Sequence, residues 1–199
     1  QGEHQQQDFK YEISDARKIA RTLSAFANTD GGRLLIGVKD NGKIAGVRSD
    51  EEIYMVEAAA ALYCVPPVEC RMSIHHVDGH NVVIAEVDAS EEHPVRAKLD
   101  DGTLCAFVRI ADENIVASPV QMALWREEGR DCGAVLPFTE REHTLLQLLT
   151  DAPDPLTLNR FSRLGRLPRH RAVQLLAQFI RFGLVEQQFV GHTFVYKAV

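Results

Sequence analysis

The chain has 199 residues, of which 45% are hydrophobic and 25% charged, and its net charge at pH 7 is −6. This composition is typical of a globular protein with room for one large domain or two small ones. No apolar run reaches the length of a membrane span, so we expect no membrane partner. The four cysteines show no CxxC spacing, which argues against a zinc ribbon and favours reduced thiols in a cytoplasmic protein.

The charge is unevenly distributed along the chain. Residues 1–138 carry 14 Lys and Arg against 23 Asp and Glu, whereas residues 139–199 carry 8 against 5. The first part is therefore acidic and the last part basic. A change of sign between two parts of a chain indicates two units with different partners.

The first part reads as a mixture of helices and strands. A helix is predicted over 14–28, with Ser14 as its cap, and Gly31-Gly32 follows as a chain reversal. Arg33–Val38 is a short apolar run typical of a strand covered on both faces. Asp40-Asn41-Gly42 predicts a hairpin turn, from which residues 43–47 return as a strand.

The following segments continue this alternation. We predict two further helices, over 50–64 and 118–128, and strands over 68–77, 81–87, 95–99 and 104–110. The fold class is therefore α/β (α+β), a mixed sheet flanked by helices. The first domain is expected to cover residues 1–130, and the segment 129–137 is expected to lead into a second domain.

The second domain, residues 138–199, has a different pattern. Thr139 to Glu142 forms a capping box that opens a helix to about Leu149. Thr157 caps a short helix at 158–164, and Pro168 opens a third helix that Gly183 ends. Two alternating segments at 184–190 and 193–196 follow. Three helices before a two-stranded hairpin predict a small winged helix-turn-helix domain.

Basic residues concentrate on the two central helices of this second domain. In helix-turn-helix domains the second helix of the pair enters the major groove, and its first turn meets base edges. Arginine can bind guanine or phosphate oxygens in a bidentate manner. The predicted nucleic-acid-binding residues are Arg160, Arg163, Arg166, Arg169, His170 and Arg171. The alternative is a domain used for dimerisation or protein contact, with solvated arginines.

The start of the chain carries a second candidate site. Glu3, Asp8 and Asp40 could hold a divalent cation through oxygen ligands if the fold brings them together. Such a cation could activate water against a phosphodiester, and Lys10 could then counter the negative charge of the transition state. The alternative is that Lys10 forms an ion pair with Asp8 or Asp40 and that Phe9 anchors a strand.

Several segments together resemble a known family, the Schlafen-type AlbA domain. They are Glu3 with Asp8-Phe-Lys10, Ala25-Phe-Ala-Asn-Thr-Asp-Gly-Gly32, Leu35-Ile-Gly-Val-Lys-Asp-Asn-Gly42, Gly46-Val47, His93-Pro-Val-Arg-Ala and Phe107-Val-Arg109-Ile-Ala with Asn114. The resemblance covers about residues 3–125. It implies a nucleic-acid-facing role, and in bacterial relatives such a domain is often followed by a winged helix.

The resemblance also implies particular site residues. In animal relatives, acidic residues of this domain form a metal-dependent RNA-cleaving centre. Carried onto this chain, the metal-binding residues fall on Glu3, Asp8 and Asp40, and Asp8 stands where the family has a glutamate one methylene longer.

These observations lead to one leading interpretation and two alternatives. We expect a cytoplasmic, homo-oligomeric transcriptional regulator that binds DNA, has no catalytic activity and needs no cofactor. The first alternative is an endoribonuclease that acts on RNA with Mg²⁺ or Mn²⁺, with Glu3, Asp8, Lys10 and Asp40 as catalytic residues. The second is a protein-interaction module whose acidic first domain docks a basic partner.

Overall fold

The computed structural model describes residues 2–47, 49–128 and 138–199. The chain divides into two compact units, Gln1–Ala117 and Ser118–Val199. The predicted linker at 129–137, which includes Cys132, lies outside the described residues. The helix predicted at 118–128 falls in the second unit, whereas the sequence analysis places it in the first domain. The other three cysteines, Cys64, Cys70 and Cys105, are free thiols.

Two four-stranded sheets build the first unit. Its strands are β1 (Gln7–Lys10), β2 (Gly32–Ile36), β3 (Cys64–Val65), β4 (Arg71–Val77), β5 (His80–Val87), β6 (Arg96–Lys98), β7 (Leu104–Ile110) and β8 (Glu113–Val116). The strand orders are β1-β2-β5-β4 and β3-β6-β7-β8. Strands β1 and β2 run parallel, and the other neighbouring pairs are antiparallel. The expected mixed sheet and the α+β class are therefore confirmed.

Two helices, α1 (Ala16–Ala27) and α2 (Glu51–Leu62), complete the first unit. Helix α1 is capped by Asp15, whose carboxylate accepts a hydrogen bond from the backbone N–H of Arg17 at 2.9 Å. The predicted cap at Ser14 is wrong by one residue, because the oxygen of Asp15 reaches the orphan amide at the N2 position. The apolar face of α1, which includes Leu23 and Phe26, is fully buried in the core, as its helical spacing predicts.

Strand β2 departs from the sequence expectation in one respect. Leu34 and Ile36 are fully buried, but Arg33 is exposed and Leu35 only half-buried. The expected coverage is complete on one face only: Leu34 and Ile36 lie in the main core, whereas Leu35 on the other face packs against a small cluster of Phe9, Val38 and Val82. A continuous apolar run therefore does not by itself distinguish a strand covered on two faces from one covered on a single face.

The hairpin predicted at Asp40-Asn41-Gly42 forms a turn without a full return strand. The Lys39 amide donates to the Lys43 carbonyl at 3.0 Å, and a single bridge joins Val38 to Ile44. Beyond it, the amides of Ala45 and Gly46 both donate to the Gly37 carbonyl. Because two amides converge on one carbonyl, a regular ladder cannot continue past this point.

The second unit contains four helices and a small sheet within its described residues. The elements are α3 (Pro119–Glu127), α4 (Glu140–Thr150), β9 (Leu156–Thr157), α5 (Leu158–Leu164), α6 (Arg169–Arg181), β10 (Val185–Val190) and β11 (Thr193–Ala198). The sheet order is β10-β11-β9, with antiparallel neighbours. The caps predicted at Thr139 and Thr157 are confirmed, including the reciprocal capping box between Thr139 and Glu142, and Ser118 caps α3.

The core of this unit is apolar and aromatic. Phe161, Leu176, Phe179 and Tyr196 are almost completely buried, and Val120 of α3 joins them. Helix α6 supplies a large share of this core from its middle and end, which fixes the helix while its first turn remains exposed. In the described parts of the chain, no helix has both the length and the apolar character that crossing a bilayer requires.

Candidate functional site

Asp8 lies on the inner side of edge strand β1, between two cations. Its side chain is almost fully buried, with the residue only 3% exposed. The Lys10 ammonium lies 2.8 Å from one carboxylate oxygen of Asp8, and the Arg109 guanidinium lies 3.2 Å from the other. Both oxygens of the carboxylate are therefore engaged with positive charge, which offsets the cost of burying it.

Arg109, on strand β7, is the centre of this polar cluster. It is 2% exposed and donates to the side-chain oxygen of Asn114 at 2.8 Å and to the backbone carbonyl of Gln7 at 3.2 Å. Its guanidinium carbon also lies 5.4 Å from the ring centroid of Phe26. Asn114 in turn donates to the hydroxyl of Thr22. The cluster thus ties the first strand, the first helix and the closing strands into one network.

Arg109 has no predicted role beyond its place in the segment Phe107–Ala111 that resembles the family. The available signal is a single charged residue inside the otherwise apolar strand Leu104–Ile110. A charge in a buried strand requires a buried partner. The sequence does not say which carboxylate supplies it, because Asp8 lies about a hundred positions away.

Glu3 joins the same corner through the backbone. One of its carboxylate oxygens accepts a hydrogen bond from the N–H of Phe9 at 2.9 Å. Partial burial raises the pKa of Glu3 above its ordinary value of 4.5; the Phe9 hydrogen bond opposes this rise, and the nearby Asp8 adds to it. Glu3, Asp8 and Lys10 are therefore brought together, as the sequence spacing suggests.

Asp40 differs from Asp8 in its exposure to solvent. It is exposed in the turn after β2, at residues 39–42. Across residues 2–47, 49–128 and 138–199, no three carboxylate, imidazole or thiolate side chains are placed so that they could share a metal ion. Asp8 is already bonded to Lys10 and Arg109, so Glu3, Asp8 and Asp40 do not fit a divalent cation in this arrangement.

The motif from Asn28 to Gly32 stabilises the fold of the first unit. The buried side chain of Asn28 donates to the carbonyls of Val95 and Phe107 at 2.7 and 2.8 Å and accepts from the N–H of Val95 at 2.8 Å. Gly31 has a φ of +70°, and a Cβ there would lie 2.8 Å from the Val87 carbonyl oxygen. The motif therefore joins the end of α1 to β5 and to the second sheet, and it needs these residue types to do so.

The second unit presents a contrasting group of side chains, which we call the basic ridge. All of its members are exposed, and they lie on α5, on the turn after it and on the first turn of α6. The basic ridge consists of Arg160, Arg163, Arg166, Arg169, His170 and Arg171. These are the residues that the sequence predicted as a nucleic-acid contact.

The basic ridge is held by neutral partners. Arg169 donates to the amide oxygen of Asn159, and Arg171 donates to that of Gln174 at 3.2 Å. Among the described residues, no carboxylate lies within ion-pair distance of any ridge member. The ridge charges are therefore not neutralised by neighbouring acids of the described chain.

A polar cluster at the edge of a mixed sheet, followed by a second unit with a basic ridge, defines a two-unit α+β protein. Residues 3–118 match the family model described as Schlafen, AlbA_2, which covers more than half of the chain. This chain belongs to that family. No curated protein matches it.

Two solved structures are similar to this chain. The crystal structure of the DIP2311 protein from Corynebacterium diphtheriae shares 20% identity over 72% of this chain, with a TM-score of 0.50. This chain spans only 34% of that protein's chain, so the likeness concerns the fold alone. The solution structure of the N-terminal domain of a protein related to the ATP-dependent DNA helicase RecG, from Nitrosomonas europaea, shares 22% identity. That match covers 65% of this chain and 83% of that domain, with a TM-score of 0.40.

Proposed function

We propose that this chain binds duplex DNA through its second unit and acts in transcription control without catalysis. The observation that carries the proposal is the basic ridge, whose members are exposed and have no acidic partner among the described residues. Duplex DNA presents a dense row of phosphates, and exposed arginines that neutralise phosphates release counterions on binding.

The order of elements supports a winged helix-turn-helix assignment. Helix α4, strand β9, helices α5 and α6 and the β10–β11 hairpin follow one another, with β9 hydrogen-bonded to β11. Helices α5 and α6 are joined by only four residues, 165–168. In such a domain α6 is the helix that enters the major groove, and its first residues meet the bases.

The first turn of α6 is exposed, whereas the rest of the helix is anchored in the core, as expected for a helix that enters the major groove. Its buried residues, which include Ala172, Leu176 and Phe179, hold the helix in the core. Its first turn carries Arg169 and Arg171 in solvent. The amino end of a helix also carries partial positive charge, which favours phosphate at the same place.

The ion pairs of Asp8 in the first unit favour a protein that binds nucleic acid over one that cleaves RNA. Cleavage of the implied type needs carboxylates available to a metal ion, whereas Asp8 is buried between Lys10 and Arg109. Asp40 lies exposed in its turn. We therefore propose a structural role for this polar cluster, which secures strand β1 to the rest of the unit.

The test is the salt dependence of DNA binding. The variants Arg169→Ala and Arg171→Ala should each weaken duplex binding and lower the slope of log K against log salt by about one. Arg126→Ala is a matched control, because Arg126 is also an exposed arginine of the second unit but lies at the end of α3, outside the ridge. Equal slopes for all four proteins would contradict the proposal.

A homo-oligomer forms part of the same proposal. Two copies of α6 could occupy half-sites one helical turn of DNA apart, and the second copy would compensate for the modest size of one basic ridge. Light scattering at micromolar protein concentration, with and without duplex, measures this directly. A monomer under both conditions would remove the oligomer from the proposal.

A further inference from the structure

The tip of the β10–β11 hairpin is built from aromatic and apolar side chains. Phe189 and Phe194 face each other across the two strands, with ring centroids 5.0 Å apart. The ring of His192 meets Phe189 edge to face at 6.4 Å. Val190, beside them, is 57% exposed. We call Phe189, Val190, His192 and Phe194 the hairpin tip.

The turn at this tip holds a histidine in an unusual backbone conformation. Gly191 and His192 both have positive φ, +55° and +60° respectively. Such two-residue turns need residues that tolerate positive φ, which glycine does freely and histidine does more readily than most other residues. The turn therefore places an imidazole at the outermost point of the hairpin.

The charge of the hairpin differs sharply from that of the basic ridge. The only charged residues of the two strands and their turn are Glu186 and Lys197, which are register partners at the base of the hairpin, far from its tip. The tip therefore offers no lysine or arginine to a phosphate, although such cations account for the salt-dependent part of DNA binding. Aromatic rings instead match the faces of nucleobases, on which they stack without using charge.

We propose that the hairpin tip contacts nucleobases directly, at an unstacked or unpaired position of the DNA that the basic ridge holds. This inference rests on the proposed DNA-binding function and names a second contact of a different chemistry. Apolar side chains that enter the grooves can separate neighbouring bases, and stacking tolerates any base because every base has an aromatic face. The narrow two-stranded ribbon places Val190 and His192, both exposed, at its end, where a base can reach them; the half-buried rings of Phe189 and Phe194 support them from below.

The test uses substitutions that preserve the turn. In the variant Val190→Thr/His192→Asn, asparagine accepts the positive φ while the exposed apolar surface of Val190 and the exposed imidazole of His192 are removed; the half-buried Phe189 and Phe194 are kept so that the hairpin stays packed. Gln188→Ala is the matched control, because it changes the same hairpin away from the tip. Binding is measured on a duplex that carries 2-aminopurine at one unpaired position, over a range of salt concentrations.

We expect the tip variant to bind this duplex about tenfold more weakly, because the loss of one base-stacking contact lowers affinity by about this factor. The salt slope should stay unchanged, because no phosphate contact is lost. The 2-aminopurine fluorescence change of the wild type should be lost in the tip variant and kept in Gln188→Ala. Wild-type affinity and fluorescence in the tip variant would overturn the inference. A lower salt slope would overturn it as well, because it would show a phosphate contact, and so would a loss of oligomer mass, which would show a contact between copies.

The outcomes separate this inference from the function on which it rests. If ridge variants lower the salt slope and the tip variant behaves as wild type, only the stacking contact is overturned. If the wild type binds no DNA at low salt, both proposals are overturned. Circular dichroism of each variant confirms that the second unit stays folded.

Discussion

The two units of this protein use the same side chain in opposite ways. Arg109 in the first unit is buried and bonded to Asp8, Asn114 and a backbone carbonyl. The ridge arginines of the second unit are exposed and have no carboxylate partner among the described residues. A guanidinium that is buried and bonded to protein oxygens is out of reach of a ligand, whereas an exposed one contributes little to stability and remains available to a polyanion.

Removal of the buried Arg109 guanidinium should cause the largest loss of stability among the substitutions considered. Arg109→Met leaves the Asp8 carboxylate buried, and breaking a buried pair costs about 3–5 kcal/mol. Lys10 still lies beside Asp8, so we expect the lower end of this range. Hydrogen exchange of the buried amides of β2 and β5 measures the free energy of opening of the first unit.

Two controls sharpen this prediction. The variant Asp8→Asn/Arg109→Met should lose less stability than Arg109→Met, because it buries no uncompensated carboxylate. Arg126→Met, at an exposed position, should change stability by no more than about 0.5 kcal/mol. Similar losses for Arg109→Met and Arg126→Met would show that burial does not separate the two kinds of arginine.

An intermediate effect is expected at Arg166, in the turn between α5 and α6. Its φ is +49°, a region that disfavours residues with a Cβ by about 1 kcal/mol. Arg166→Gly relieves this strain at some cost in chain entropy, so we expect thermal stability to stay equal or rise by up to about 1 kcal/mol. Duplex binding should nevertheless weaken, with a salt slope lower by about one.

Arg166→Gly thus separates stability from binding at one position. Thermal melting and a salt titration of duplex binding are measured on the same protein preparation. A loss of stability together with wild-type binding would reverse the roles that we assign to this arginine, and would place it with Arg109 as a structural residue.

The smallest effect is expected at Glu3, and it depends on pH. The pKa of Glu3 is raised in the folded protein, chiefly by burial. Its contribution to stability is therefore complete below its ordinary pKa and is lost as the pH rises through the raised value. Glu3→Gln keeps an acceptor for the N–H of Phe9 but never becomes charged beside Asp8.

The thermal midpoint of Glu3→Gln relative to the wild type should therefore be higher at about pH 7 than at about pH 3.5. The change is small because Glu3 is only partly buried. A wild type that gains stability over Glu3→Gln as the pH rises would show that the charged form of Glu3 is favoured by the fold instead.

The second unit could be predicted closely from its sequence. Three of its four described helices are capped, by Ser118, Thr139 and Thr157, and these caps act on amides two or three residues away. Such local signals do not depend on the rest of the fold. The exposure of the ridge residues on α6 follows from their position along the helix, because its buried apolar residues begin at Ala172, after the three residues Arg169, His170 and Arg171.

The elements of the first unit could be predicted less completely from local sequence patterns. Strands β3 and β8 have two and four residues, too few for a period-2 pattern to identify them. The cap of α1 at Asp15 instead of Ser14 was a choice between two adjacent residues of nearly equal propensity. The coverage of β2 depended on which face of the sheet the helices occupy, and an apolar run contains no such information.

The sequence by itself determined the helices, the caps of α4 and α5, the mixed α+β class and the concentration of positive charge in the last sixty residues. Only the tertiary structure decided that Asp8 is bonded to Arg109, that no three possible metal ligands of the described residues come together, and that the hairpin tip gathers aromatic rings from two strands. The physical reason is the separation along the chain between the residues that interact. Capping and helical spacing act between residues three or four positions apart, whereas a buried ion pair depends on residues that only the folded chain brings together.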